Sequence, residues 1–170
     1  SVDLRHGDEF DVAIRTGEGP WAGFEATPLS VVECTPMLAP ALARGVRLAE
    51  PADLASLLLL PHPDWQRWFA AAGLACAPPL RLAGVEYPTH ELNAKAAMEG
   101  QGVALLSPSL FQPLLAEGKL TAPFRHVLHG PLRHFMLIRR NERRAPALGF
   151  HAWMLDEAAD GRAQSRPPQP

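Results

Sequence analysis

With 170 residues, 47% of them apolar, the chain is long enough for one ordinary domain or two small lobes and apolar enough to bury a core. A formal charge of −2 gives no general attraction to nucleic acid, and no apolar run approaches the length of a membrane span. Two cysteines, Cys34 and Cys76, make no disulfide framework, which points to a reducing, cytoplasmic setting.

Residues 1–9 are polar. Phe10, Val12 and Ile14 then alternate with Asp11, Ala13 and Arg15, the period of a strand, and Thr16 to Pro20 reads as a loop. Phe24 to Cys34 is a second extended run, with Pro28 marking an edge or bulge and Thr35-Pro36 a break. A short helical piece over 37–43 closes near Gly45. The stretch from Pro51 leads into the four leucines Leu57 to Leu60, a buried strand. After Pro61-His62-Pro63, Asp64 caps a helix whose Trp65, Trp68, Phe69 and Ala72 share one stripe, and Gly73 closes it. Leu80 to Tyr87 reads as a further strand.

The stretch from Thr89 to Leu120 is the densest in signals. Thr89 caps a helix with Glu91 in its first turn, and Gly100 suits a left-handed helix end. Val103 to Leu106 is a short apolar run that suits a strand covered on both faces. Ser107 and Pro108 open a second helix with an apolar stripe of Leu110, Phe111, Leu114 and Leu115, ended by Gly118. Beyond it, His126 to Pro131 reads as a loop and Leu132 to Ile138 as a last strand. A last helix spans 146–158 with Leu148, Ala152 and Leu155 on one stripe. The polar, proline-rich tail from Gly161 is expected to be disordered.

Strands alternating with helices predict an α/β fold. The two breaks, at Thr35-Pro36 and at 126–131, divide a first lobe (1–34 with 131–160) from a second (37–126), leaving residues 161–170 as tail. Two lobes built this way have a cleft between them.

Chemistry in that frame is sparse. His126, His129 and His134 lie near one another in sequence, but no cysteine or carboxylate cluster completes a metal site, so no metal or cofactor is expected. Ser107 and Ser109 lack a nucleophile elbow, and Cys34 reads as a buried thiol. Gly100-Gln101-Gly102 precedes a strand rather than a helix, so it is a turn and not a phosphate loop. Arg139, Arg140, Arg143 and Arg144, with Glu142 among them, read as a solvated loop rather than a phosphate patch. Trp65 and Trp68 read as core. What remains is a set of polar groups at strand ends and helix starts: Arg15, Thr16, Thr35, Thr89, His90, Asn93, Ser107 and His134. Helix N-termini at Thr89 and Ser107 would favour a carboxylate by about 0.3–1 kcal/mol each.

One ordered set of segments carries a resemblance. AAMEGQGVALLSPSL followed by AEGKL resembles the signature segment of the effector-binding domain of LysR-type bacterial transcriptional regulators. FDVAIRTGEG, VVECTPMLAPAL, PADLASLLLL, DWQRWFAAAGL and FHAWMLDEA resemble it in the same order, in the subgroup that regulates glycine cleavage and β-lactamase expression. The resemblance implies an α/β, two-lobed fold of periplasmic-binding-protein type II, with the first lobe incomplete at its N-terminal side. It also implies a small, anionic effector held between the lobes, no enzyme activity, and homo-oligomers of the full-length parent. DNA contact would belong to a winged helix-turn-helix not represented in these residues. The rival expectations are a solute-binding module of similar fold and a small α/β enzyme, the latter lacking a visible nucleophile or acid/base pair.

Overall fold

The computed structural model describes residues 10–74 and 78–164, with side chains as far as residue 158. Cys76 lies outside the described residues. The described residues form two compact units, 10–32 with 130–164 and 33–74 with 78–129. Two strands, β2 (Phe24–Met37) and β6 (Leu128–Arg139), run from one unit into the other. Both expected breaks are thereby corrected: the chain stays extended through Thr35-Pro36 and from Leu128 through Pro131. Proline is tolerated at 36 for a reason of parity. Leu38 exchanges backbone hydrogen bonds of 3.1 and 2.9 Å with Thr121, on the side of β2 away from its other neighbour. Pro36 shares that parity, so its missing N–H is not needed by the ladder that pairs Thr35 with Leu106 and Met37 with Ala104. At Gly130 a Cβ would lie 3.3 Å from the Val32 carbonyl oxygen, so the absent side chain lets the two backbones approach.

In the first unit, β1 (Val12–Gly17) pairs antiparallel with β6, from Val12↔Ile138 to Gly17↔Arg133. The strand thus lies later than the alternation predicts. Phe10 precedes it, stacked on Phe24 at 6.0 Å, and Thr16-Gly17, expected in a loop, belong to it. Helix α5 (Ala145–Gln164) runs through Gly161 to Gln164, which were expected to be disordered. Its covered side carries Ala147, His151, Met154 and Leu155, so of the predicted stripe Leu155 is covered while Leu148 and Ala152 are exposed. The arginine segment is not simply solvated. Glu142, its side chain almost wholly buried, accepts from the backbone N–H of Arg143 and Arg144 at 2.8 and 2.7 Å. It also takes the Arg144 guanidinium in a fork at 3.0 and 2.7 Å, and Arg144 reaches on to Asp11 at 2.5 Å. The Arg144 side-chain hydrogen bonds come first among the causes that hold the Glu142 carboxyl down to about 2.

The second unit is built around β5 (Ala104–Leu106), all of whose residues are buried. One face meets Leu38, Leu54, Leu57, Leu59, Trp65, Trp68 and Phe69; the other meets Met37, Leu60, Ala94, Ala97, Phe111 and Leu120. Fully burying each large apolar side chain contributes roughly 1.5–3 kcal/mol. Short elements surround it: α1 (Pro40–Arg44), a 3-10 helix (Pro51–Ser56), β3 (Leu58–Leu59) and α2 (Trp65–Ala71). The strand expected over 80–87 reduces to β4 (Arg81–Leu82), an exposed edge beside β3; the chain leaves it at Gly84 and meets Pro88. Helix α3 (His90–Met98) starts where Thr89 predicts. Helix α4 (Gln112–Ala116) starts four residues later than Ser107-Pro108 suggests, because 108–111 form a turn that buries Phe111 and leaves Leu110 outside.

Candidate functional site

The connection from α3 to β5 sets the geometry. Gly100 turns the chain at φ +75°, and at Gly102 a Cβ would stand 2.8 Å from the Leu58 carbonyl oxygen. The backbone therefore doubles back tightly, and β5 ends, at Ser107, on the side where α3 begins. Leu59 bridges Val103 in the parallel sense, so β3 finishes at that same side and feeds Pro61, His62 and the start of α2. Antiparallel β2 sets Thr35 opposite Leu106, and Glu33 comes just before it. Strand ends and helix starts thus gather at one rim of this unit, the arrangement in which open α/β sheets hold ligands. The His62 and His90 rings, 6.3 Å apart across that rim, bear out the placement.

The predicted residues take up distinct tasks there. Thr89 Oγ1 accepts from the Leu92 backbone N–H at 3.3 Å, a true N-cap. The backbone N–H of Glu91 and the Thr89 hydroxyl together hold the Glu91 carboxyl below its usual value. Asn93 Nδ2 donates to the carbonyls of Tyr87 and Thr89 at 3.2 and 2.9 Å, which fixes the loop entering α3. His90 is exposed at the first position of the helix. Ser107 Oγ lies 3.0 Å from Ser109 Oγ and accepts from the Leu110 N–H at 3.4 Å, so it caps a turn and has a hydroxyl, not a base, as neighbour. Thr35 is only 1% exposed and donates to the His126 carbonyl at 2.9 Å. It holds the rim together from beneath.

The other predicted residues belong to the first unit. Thr16 and His134 face each other across the β1–β6 ladder, with Oγ1 and Nδ1 2.8 Å apart, and Arg15 stands opposite Phe135.

Two rim residues escaped sequence reasoning. His62, between two prolines, reads as part of a break, yet its Nδ1 accepts from the Asp64 N–H at 3.1 Å, which puts the ring proton on Nε2. Burial, with smaller opposed effects of Asp64 and His90, pushes its pKa down. Glu33 accepts from the Ser109 N–H at 3.2 Å and stands 3.7 Å from His129 Nδ1. Ser109 itself is exposed. The alternation of β2 was the only signal that could have drawn attention to Glu33, since residue 33 shares its parity with Thr35. Cys34 is buried in the core as expected, and burial is the leading cause that raises its thiol pKa to about 11. Among the described residues, no group of three or more His, Cys, Asp or Glu side chains could hold a metal ion.

A sequence model described as the LysR substrate binding domain matches residues 1–159. The chain belongs to the LysR substrate-binding domain family. Among curated relatives, the transcriptional activator AmpR of Rhodobacter capsulatus is 40% identical over 124 residues, covering 71% of this chain and 40% of the relative. The glycine cleavage system transcriptional activator of Escherichia coli K12 is 30% identical over 157 residues, covering 89% and 51%. The solved effector domain of AmpR from Pseudomonas aeruginosa superposes with a TM-score of 0.79 at 31% identity, covering 97% of this chain and 80% of that one. Full-length LysG of Corynebacterium glutamicum shares the fold, with a TM-score of 0.61 at 21% identity. The chain spans about half the length, or less, of these curated relatives. The LysR fold of periplasmic-binding-protein type II and the relatives' role as transcriptional regulators, not enzymes, agree with the sequence reading. No described helix is long and apolar enough to cross a membrane.

Proposed function

We propose that this LysR domain senses a small carboxylate-bearing effector, and that in the full-length parent it controls transcription through a DNA-binding segment outside these residues. The observation that carries the reading is the gathering of the α3 N-terminus, Ser107 and His90 at one strand-end rim. There, backbone N–H groups and a helix dipole favour negative charge. Thr16, His134 and Arg15 of the first unit are the remaining polar candidates for the effector. A hydrolase reading has no support from Ser107, whose hydroxyl neighbour is Ser109.

Thr89→Val and Arg15→Ala test the proposal by calorimetric titration with a panel of small carboxylates, run beside thermal melts. Thr89→Val should cost about 1 kcal/mol of stability as a lost cap. It should cost a further 1.5–3 kcal/mol, roughly, in binding if a charge-assisted bond to the carboxylate goes with it. Arg15→Ala should weaken binding by more than it lowers stability. Equal losses in affinity and stability, or none in affinity, would reduce Thr89 to a cap and defeat the reading.

A further inference from the structure

The connection from β1 to β2 and one residue of β6 line a cavity of about 660 Å³, walled by Trp21, Phe24 and Phe135 and by the charged Glu18, Glu25 and Arg140. None of these residues takes part in the rim proposed for the effector carboxylate, and all belong to the unit that carries β1 and α5. The Trp21 indole is held from two sides. Gly17 and Gly19 lie against its six-membered ring, where a Cβ would come within 3.2 and 3.0 Å, so glycine at both positions lets the loop close on it. Phe135 meets the indole with ring centres 5.1 Å apart and planes at 61°, which makes a corner of two aromatic rings rather than a stack.

The charges around this corner are unbalanced. Arg140 is tied to the loop, its backbone N–H donating to the Gly23 carbonyl at 3.2 Å and its Nε to the Phe24 carbonyl at 3.4 Å. Glu18 and Glu25 are exposed and, among the described residues, neither accepts a hydrogen bond or forms an ion pair with Arg140 or any other cation. Two carboxylates without a counter-charge thus border a cavity whose aromatic walls have electron-rich faces.

We infer that this cavity binds a small organic cation with an apolar body, an alkyl- or arylammonium. Its head is drawn to Glu18 and Glu25, and its methyl or methylene groups lie in the Trp21–Phe135 corner. Coulomb and cation–π attraction act in the same direction here, each modest alone at an open site. An anion of the same shape would meet two like charges, and a neutral isostere would keep only the apolar contact.

The test is titration of this chain with benzyltrimethylammonium, neutral benzyl alcohol and anionic phenylacetate, followed through the indole N–H resonances of its four tryptophans. Trp21→Phe assigns the Trp21 signal and keeps an aromatic wall. The ammonium should shift that signal and leave those of Trp65 and Trp68, which are buried in the other unit. It should bind about 10-fold more tightly than benzyl alcohol, with phenylacetate weaker still. Glu18→Gln combined with Glu25→Gln should erase that preference without moving the thermal melt, since both side chains are exposed. Equal binding of ammonium and alcohol would reduce the cavity to an apolar crevice and overturn the inference. So would a preference for the ammonium that survives the double substitution, a preference for phenylacetate, which would give the site to Arg140, or no shift of Trp21 at millimolar ammonium.

Discussion

The two units differ in where their apolar side chains have gone. Both packed apolar clusters of the described residues lie in the unit spanning 33–129, where Trp65, Trp68 and Phe69 meet edge-on or tilted at 5.3 to 6.4 Å. The other unit buries Phe24, Leu29, Met136, Leu137, Ile138 and Ala147, but leaves Ile14 56% and Trp153 53% exposed. Its Phe150 and Trp153 rings pack on each other, 5.6 Å apart, at the surface. One unit is held by close packing; the other leans on the β1–β6 ladder and on the Asp11–Arg144–Glu142 network. The lesson is that the rim described above sits on the closely packed unit, which is where a binding geometry is best kept.

The sharpest way to break this contrast is Trp68→Ala. Removing a fully buried indole should cost about 3–5 kcal/mol, comparable to the whole margin of a small domain. Hydrogen exchange reads the units separately. In the unaltered chain β5 should be protected well beyond β1, and in the variant that excess should vanish. Equal protection of both strands in the unaltered chain would end the comparison.

A smaller, pH-dependent effect should single out the polar unit. The Glu142 carboxyl lies at about 2 in the fold against 4.5 ordinarily, so its contribution is complete above about 4.5 and is lost as pH falls toward 2. Glu142→Gln should lower the melting temperature at neutral pH, and the gap to the unaltered chain should close across that window. A gap that stays constant down to pH 2 would show that the charge is irrelevant. The depressed carboxyls Asp53 and Glu91 are present in both proteins and cancel in the difference.

The smallest expected change is Trp153→Ser. An exposed side chain away from the core should alter stability by no more than about 0.5 kcal/mol, while reducing self-association at raised concentration, because the exposed Leu148, Phe150 and Trp153 lose their largest member. Sedimentation at two concentrations measures it. A large loss of stability would mean that this face is part of the core after all.

Much of the second unit was legible because its signals are local. A capping threonine, a glycine after the last helical turn and four apolar residues in a row identify α3 and β5 almost to the residue. Strands crossing between units were not, because prolines at 36 and 131 look like breaks until the neighbouring strand shows which N–H groups are needed. Helix α5 was found, but its phase was missed: with Leu148, Phe150 and Trp153 outside, hydropathy alone cannot say which side is covered. The rim residues Thr89, His90 and Ser107 could be found from their places at element ends. Glu33 and His62 could not, since their meaning comes from partners distant in sequence, such as Ser109 and His90.

The Thr35–His126 bond joins residues 91 apart in sequence, close to the points where the chain enters and leaves the packed unit. This bears on the order of folding. The Thr16–His134 pair spans 118 residues, a long loop to close from an open chain. Once the inner unit has formed and drawn its own ends together, the loop that remains to be closed is short. Pairing of β1 with β6 then becomes nearly local, so the outer ladder should zip last and fast, with its rate set by the collapse of the unit nested inside it.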